Sequence, residues 1–249
     1  MVLFLTSHMG GNRFPPEDPE PKPVLSENRF VENLKTYWPE KAKVLLIASD
    51  PGEHVVLDDI ARSFSHTLPM AGLPVEFVLT CDDRNEEAAN DLSQYDVIIH
   101  AGGHVPTQNA FFHKIGLKEK YASYHGIVIG ISAGTMNCAS IVYAHPELDG
   151  EAVDPDYKRY LPGLGLTEHQ ILPHFQYLRT VWLDGMKAID QIAFADSRGH
   201  SFLCLNDGSY ALQKDGKTTV FGEAYLLQDE KLTKICSDDE SVELERSKA

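Results

Sequence analysis

The stretch Gly126-Ile127-Val128-Ile129-Gly130-Ile131-Ser132-Ala133-Gly134 decides the fold. A short β-branched run of this kind reads as a buried parallel strand. The residues behind it, Ala133 to Ala139, are small and compatible with a helix. Strand, sharp turn and helix in that order lift the hydroxyl of Ser132 out of the backbone on a strained elbow, and the following helix start favours negative charge beside it. Glycines on either side of the serine let such a turn close without a Cβ clash. Ser132 is therefore the candidate nucleophile.

Working outward, apolar strands alternate with helical segments. Met1–Ser7, Lys43–Ser49, Val75–Thr80 and Asp96–His100 read as strands. Helical spacing covers Arg29–Trp38, Glu53–Met70, Asn85–Leu92 and Thr107–Tyr124. This alternation implies a three-layer, doubly wound, mostly parallel α/β sheet, whose active sites gather at the carboxyl ends of the strands. Ser49, Gly102, Gly103 and Ser132 all fall there. From Ser201 onward short strands with turns at Asn206–Ser209, Lys214–Lys217 and Gln228–Lys231 read as a β-rich extension of the same single domain, 1–249. The proline-dense segment 15–23 forbids helix and central strand and reads as an exposed loop, a lid being the alternative. The acidic end, 237–249, reads as a frayed, solvated tail.

The bulk properties narrow the function classes. A chain of 249 residues with 43% apolar and 24% charged residues is ordinary for a soluble globular protein. Its net charge of −15 argues against nucleic acid and anionic membranes as partners. Cys81, Cys138, Cys204 and Cys236 are scattered, and the first three border or lie in apolar segments, so they read as buried free thiols. The first residues lack a basic start and are too short for a signal-peptide core, which points to a cytoplasmic protein. Oligomeric state is left open, a homodimer included.

A serine hydroxyl needs a base, usually histidine. His174 ends the apolar run Ile171-Leu172-Pro173 and can reach the elbow if one crossover helix and one strand fill the interval. A lone strand-end histidine is also commonly satisfied by a backbone group. The amide of Ala133 and the turn Ala101-Gly102-Gly103-His104 are candidates for an oxyanion hole. His100 and His104 flank a glycine turn without a further ligand in the run, so no metal is expected, and no other cofactor.

Gly102-Gly103 with Thr107, the elbow at Ser132, and Leu172-Pro173-His174-Phe175 together resemble the dipeptidase E (aspartyl dipeptidase) and cyanophycinase family of serine peptidases, over roughly residues 43 to 210. That family has a fold like class I glutamine amidotransferases, with serine in place of cysteine. The resemblance implies Ser132 as nucleophile, His174 as base, and the amides of Gly103 and Ala133 as oxyanion hole. It implies a triad acid fifteen residues past the serine, which is Glu147 here; a short gap would select Asp149 or Glu151, and the cyanophycinase arrangement would select Asp207. Each of these acids read by itself is a surface group. The expected substrate is a short peptide or isopeptide with an acidic residue on the acyl side, held by Arg179, the cation nearest a matched motif; a helix-surface arginine is the plainer alternative. Two rivals stay in view: an esterase of the α/β-hydrolase class, and a non-catalytic binding or regulatory protein on the same fold.

Overall fold

A computed structural model describes residues 1–10 and 22–244. Most of the proline-dense segment, Pro15 to Pro21, lies outside the described residues, as do the last five residues.

The strands in chain order are β1 Val2–Thr6, β2 Ala42–Ile47, β3 Val75–Cys81, β4 Val97–His100 and β5 Ile127–Ile131, followed by β6 Ile141–Tyr143, β7 Tyr160–Pro162, β8 Gln170–Leu172, β9 Trp182–Leu183 and β10 Met186–Lys187. The C-terminal part adds β11 Ser201–Leu205, β12 Tyr210–Lys214, β13 Lys217–Phe221, β14 Ala224–Gln228, β15 Lys231–Cys236 and β16 Ser241–Leu244. One eight-stranded sheet runs β16-β13-β12-β1-β5-β4-β2-β3. Its five strands from β1 to β3 are parallel and the other three antiparallel. A second sheet, β15-β14-β11-β8, stands beside it.

Alternate residues of each central strand face opposite cores, as the two-residue period of a strand requires. Leu3, Leu5, Leu45, Ile47, Ile98 and Val128 pack with Phe111, Phe112 and Leu117 from the helices Val105–Lys114 and Leu117–Lys120. Phe4, Val44, Leu46, Val97, Ile99 and Ile129 pack with Phe30, Leu34, Phe64 and Leu68 from the helices Phe30–Lys35 and His54–Met70. Burial on both faces is why these strands read as continuous apolar runs, with each fully buried large side chain contributing about 1.5–3 kcal/mol of transfer free energy. A third core, with Met136, Tyr143, Leu172, Phe175 and Phe202, joins the elbow to the second sheet. The α/β architecture expected from the sequence is therefore present.

Four expectations need correction. Asn85–Leu92 is not a helix: two 3₁₀ turns, Glu86–Ala89 and Leu92–Gln94, replace it. The side chains of Asn85 and Asp91 take local backbone groups, Asn85 Oδ1 accepting from Asp82 N and Asp91 Oδ1 from Ser93 N, in competition with helical bonds. The segment Thr107–Tyr124 is broken at Gly116, which sits at φ +60. Between the elbow and His174 there is no crossover helix; the ribbon β6–β7 and a long polar loop fill the interval, and β8 joins the second sheet. The acidic end is not frayed throughout, because Ser241–Leu244 pairs with β13 and turns Val242 and Leu244 onto the core. All four cysteines are free and buried.

Candidate active site

Ser132 sits immediately past β5 at φ 50, ψ −113, a backbone state costing on the order of 1–3 kcal/mol. Neighbouring bonds hold it there. Ser132 N donates to Thr6 O at 3.0 Å, and Ser132 O accepts from Thr135 N and Met136 N. Thr135 Oγ1 donates to Thr6 O at 2.8 Å and accepts from Thr6 N at 3.0 Å, tying the elbow to β1. At Gly134 a Cβ would collide with the His100 carbonyl, so only glycine lets the elbow press against β4. The helix after the serine is a single turn, Ala133–Met136, too short for a sizeable macrodipole. What it offers is local: the Ala133 N–H belongs to the first turn and has no intrahelical acceptor.

The Gly102–Gly103 turn lies alongside. A Cβ on Gly102 would stand 3.3 Å from Ser132 Cβ, and one on Gly103 would overlap Ser49 Oγ. No described turn or loop bond uses the Gly103 N–H. The turn and the elbow thus bring both expected oxyanion-hole amides to the serine's side of the sheet.

His174 follows β8 in a left-handed conformation, φ 54 and ψ 32. Its N–H donates to the buried Ser7 Oγ at 3.0 Å, and Ser7 Oγ donates to Leu205 O at 3.1 Å. Ser7 therefore links the ends of β1 and β11 to the histidine. His174 Nδ1 lies 2.6 Å from Asp207 Oδ1, in the β11–β12 turn. Gln176 clamps the same acid from two sides: Nε2 donates to Asp207 Oδ2 at 2.6 Å, and Asp207 N donates to Gln176 Oε1 at 2.9 Å. Burial opposes the Asp207 charge, but the bonds from His174 and Gln176 win and hold its carboxyl below the usual range. His8 also belongs to this neighbourhood. Burial lowers its pKa against the pull of Asp207, and its Nδ1 accepts from Gly10 N at 2.8 Å.

Glu147 makes no bond to His174, so the acid that the geometry pairs with the histidine is Asp207. The 145–151 loop places Glu147 on the wall of the cavity, where the residue as a whole stays exposed. Desolvation there, then the Glu151 carboxylate, push its carboxyl up to about 7. Glu151 instead accepts from Glu147 N at 2.8 Å and Leu148 N at 3.0 Å, and pairs with His104 Nε2 at 2.9 Å. Those bonds overcome its burial and hold its carboxyl low. Asp149 is exposed on the same loop. Arg179, the expected clamp, lies away from Ser132 and His174. It is exposed, with its guanidinium 5.8 Å from the Phe175 ring centroid, and it does not line the cavity that holds Ser132 and His174. The short helix Phe175–Leu178 ends at Arg179 and turns it away.

That cavity, about 230 Å³, is lined by Ser132, His174, Glu147 and His145 with apolar walls from Met136, Leu172 and Leu183 among others. Neither His100 nor His104 is free to bind a metal. His100 is fully buried against Tyr121 and Cys138, burial lowering its pKa to about 3, and His104 is engaged at both nitrogens. Among the described residues His54, Asp82 and Asp83 could hold an ion, but His54 already pairs with Asp83 and Arg84 covers Asp82.

Ser7, His8, Thr135 and Gln176 were not singled out in the sequence. Only Gln176 carried a local signal, two places after His174; the other three depend on which strands become neighbours.

The sheet order and the strand–elbow–helix define an α/β protein like the class I glutamine amidotransferases, with serine at the elbow. A match to the model of peptidase family S51 over residues 28–220 gives the particular family: the chain belongs to peptidase family S51 and is a serine-type peptidase. Its fold is similar to the crystal structure of a candidate peptidase E protein from Listeria monocytogenes EGD-e, at a TM-score of 0.52 and 16% identity, with 94% of this chain and 97% of that chain covered. No curated protein matches the chain. Among the described residues no helix is long and apolar enough to cross a membrane.

Proposed function

We propose that this chain hydrolyses the amide bond of a short peptide or isopeptide, with Ser132 as nucleophile, His174 as general base and Asp207 as the acid that orients it. The observation that carries this reading is the 2.6 Å contact between His174 Nδ1 and Asp207, with Ser132 and His174 lining one cavity. With Nδ1 engaged, Nε2 is the ring nitrogen left for proton transfer. Ser132 Oγ attacks the carbonyl carbon while Nε2 takes its proton, and the negative oxygen that develops is met by the N–H groups of Gly103 and Ala133. Collapse breaks the C–N bond, and the imidazolium hands its proton to the departing nitrogen. Water, deprotonated by His174 Nε2, then attacks the acyl carbon, and the imidazolium returns that proton to Ser132 Oγ as the C–O bond to the serine breaks. The chain order of serine, histidine and acid runs against the serine, acid, histidine order of α/β-hydrolases, which disfavours the esterase reading.

The small cavity supports a short acyl portion. The preference for an acidic residue finds no support among the described residues of its wall, none of which is a lysine or arginine. A fluorophosphonate serine probe tests the reading. The wild-type protein is expected to label at one site, and Ser132→Ala to lose that label; a wild-type protein that does not label contradicts it.

A further inference from the structure

The cavity beside Ser132 is apolar where it is buried. Apart from His145, whose ring burial keeps neutral by lowering its pKa, every buried residue of the described wall is apolar: Met136, Pro146, Leu172, Pro173 and Leu183. Leu178 and Val181 continue that surface at intermediate exposure. Met136, Leu172 and Leu178 also belong to the third core. Val181 and Leu183 belong to none of the three, so core packing does not account for the apolar surface at that end. The described wall holds no lysine or arginine, and its one carboxylate residue is Glu147, so its balance of charge opposes an acidic side chain. Glu147 as a residue is exposed, which leaves the buried part of the wall without a charged group. The cavity's volume of about 230 Å³ exceeds the roughly 150 Å³ of an apolar cavity that takes up benzene, so one side chain of that bulk fits.

We propose that the substrate's acyl-side residue carries an apolar side chain of about leucine size, received by the sleeve of Met136, Leu172, Leu178, Val181 and Leu183. The inference rests on Ser132 being the nucleophile and on this cavity taking the acyl portion. Burying such a side chain removes its apolar surface from water and asks for no new polar partner. A carboxylate or ammonium of similar length would lose its hydration with no opposite charge among the buried wall residues, and that cost falls on acidic and basic side chains alike. The sleeve therefore selects against charge as much as it selects for bulk.

Diphenyl α-aminoalkylphosphonates test it, because their side chain stands where that of the acyl-side residue would, and Ser132 Oγ bonds to phosphorus as phenoxide leaves. Leucine, alanine, asparagine, aspartate and lysine analogues, each with a free and with an acetylated amino group, are compared by their second-order inactivation rates on the wild-type protein. In at least one of the two series the leucine analogue is expected to react about 10-fold or more faster than every other, including asparagine, which matches leucine in shape but not in polarity. Leu183→Ala and Val181→Ala are each expected to lower the leucine-to-alanine rate ratio by about threefold or more. That ratio is read within one protein, so a general loss of activity does not imitate the effect. Equal rates across the panel, a faster aspartate, asparagine or lysine analogue, no inactivation by any analogue, or a ratio unchanged in both variants overturns the proposal. Absent fluorophosphonate labelling of the wild-type protein overturns the hydrolase reading itself, whereas labelling without a leucine preference overturns only the apolar assignment.

Discussion

Two histidine–carboxylate pairs flank the elbow, and they differ in what is left over. His104 spends both ring nitrogens: Nδ1 meets Thr107 Oγ1 at 2.8 Å and Nε2 meets Glu151 at 2.9 Å. Glu151 in turn holds the backbone of Glu147 and Leu148, so the pair fastens the Gly103 turn to the 147–151 loop. His174 spends Nδ1 on Asp207, no described hydrogen bond engages its Nε2, and the residue lines the cavity with Ser132. A histidine–acid contact alone is therefore no mark of a catalytic base. On the proposed mechanism, the free second nitrogen is what fits His174 and not His104 to act as the base.

The largest effect expected from this difference is at the histidines themselves. His174→Ala should lower kcat/KM by about 10³-fold or more, and combining it with Ser132→Ala should cost nothing further, because triad members act as a unit. His104→Ala should lower kcat/KM by about 10-fold at most, through a looser Gly103 turn. Steady-state kinetics on one peptide substrate checks both, and a comparable loss in the two single variants breaks the distinction.

The smallest effect concerns a third histidine on the same stretch. His100 is fully buried, and desolvation lowers its pKa from 6.5 to about 3. Its folded value lies below its unfolded value, so the unfolded chain binds the extra proton first as pH falls. Stability is complete above pH 6.5 and drains away as pH drops toward 3, at up to about 1.4 kcal/mol per pH unit for each such group. Burial shifts His145 and His169 in the same direction. Denaturant midpoints measured from pH 7.5 to 5 should fall, and a flat profile would contradict neutral burial of His100.

The parallel sheet and the elbow were legible because both are local patterns. A β-branched run followed by Gly-Ile-Ser-Ala-Gly specifies strand, turn and nucleophile within nine residues. His174 was legible as a strand end, although the route to it was not: the 145–157 loop lacks helical periodicity and no crossover helix forms. The acid that pairs with His174 was not legible. Glu147, Asp149, Glu151 and Asp207 are all short-loop acids, and nothing local separates them. The choice depends on β8 pairing with β11, which brings the Asn206–Ser209 turn beside His174. Arg179 illustrates the converse case, since nearness to a motif in sequence does not by itself place a side chain in the cavity. In the tail, the alternation of Ser241-Val242-Glu243-Leu244 was a strand signal hidden by the acidic residues around it.

The central claim is that Asp207, and not an acid of the 147–151 loop, orients the base. Rates of fluorophosphonate labelling of Ser132, measured side by side in the wild-type, Asp207→Asn and Glu151→Gln proteins, test it most directly. The account predicts a loss of about 10²- to 10⁴-fold for Asp207→Asn and less than about 10-fold for Glu151→Gln. Wild-type labelling of Asp207→Asn, or a greater loss for Glu151→Gln, would contradict it.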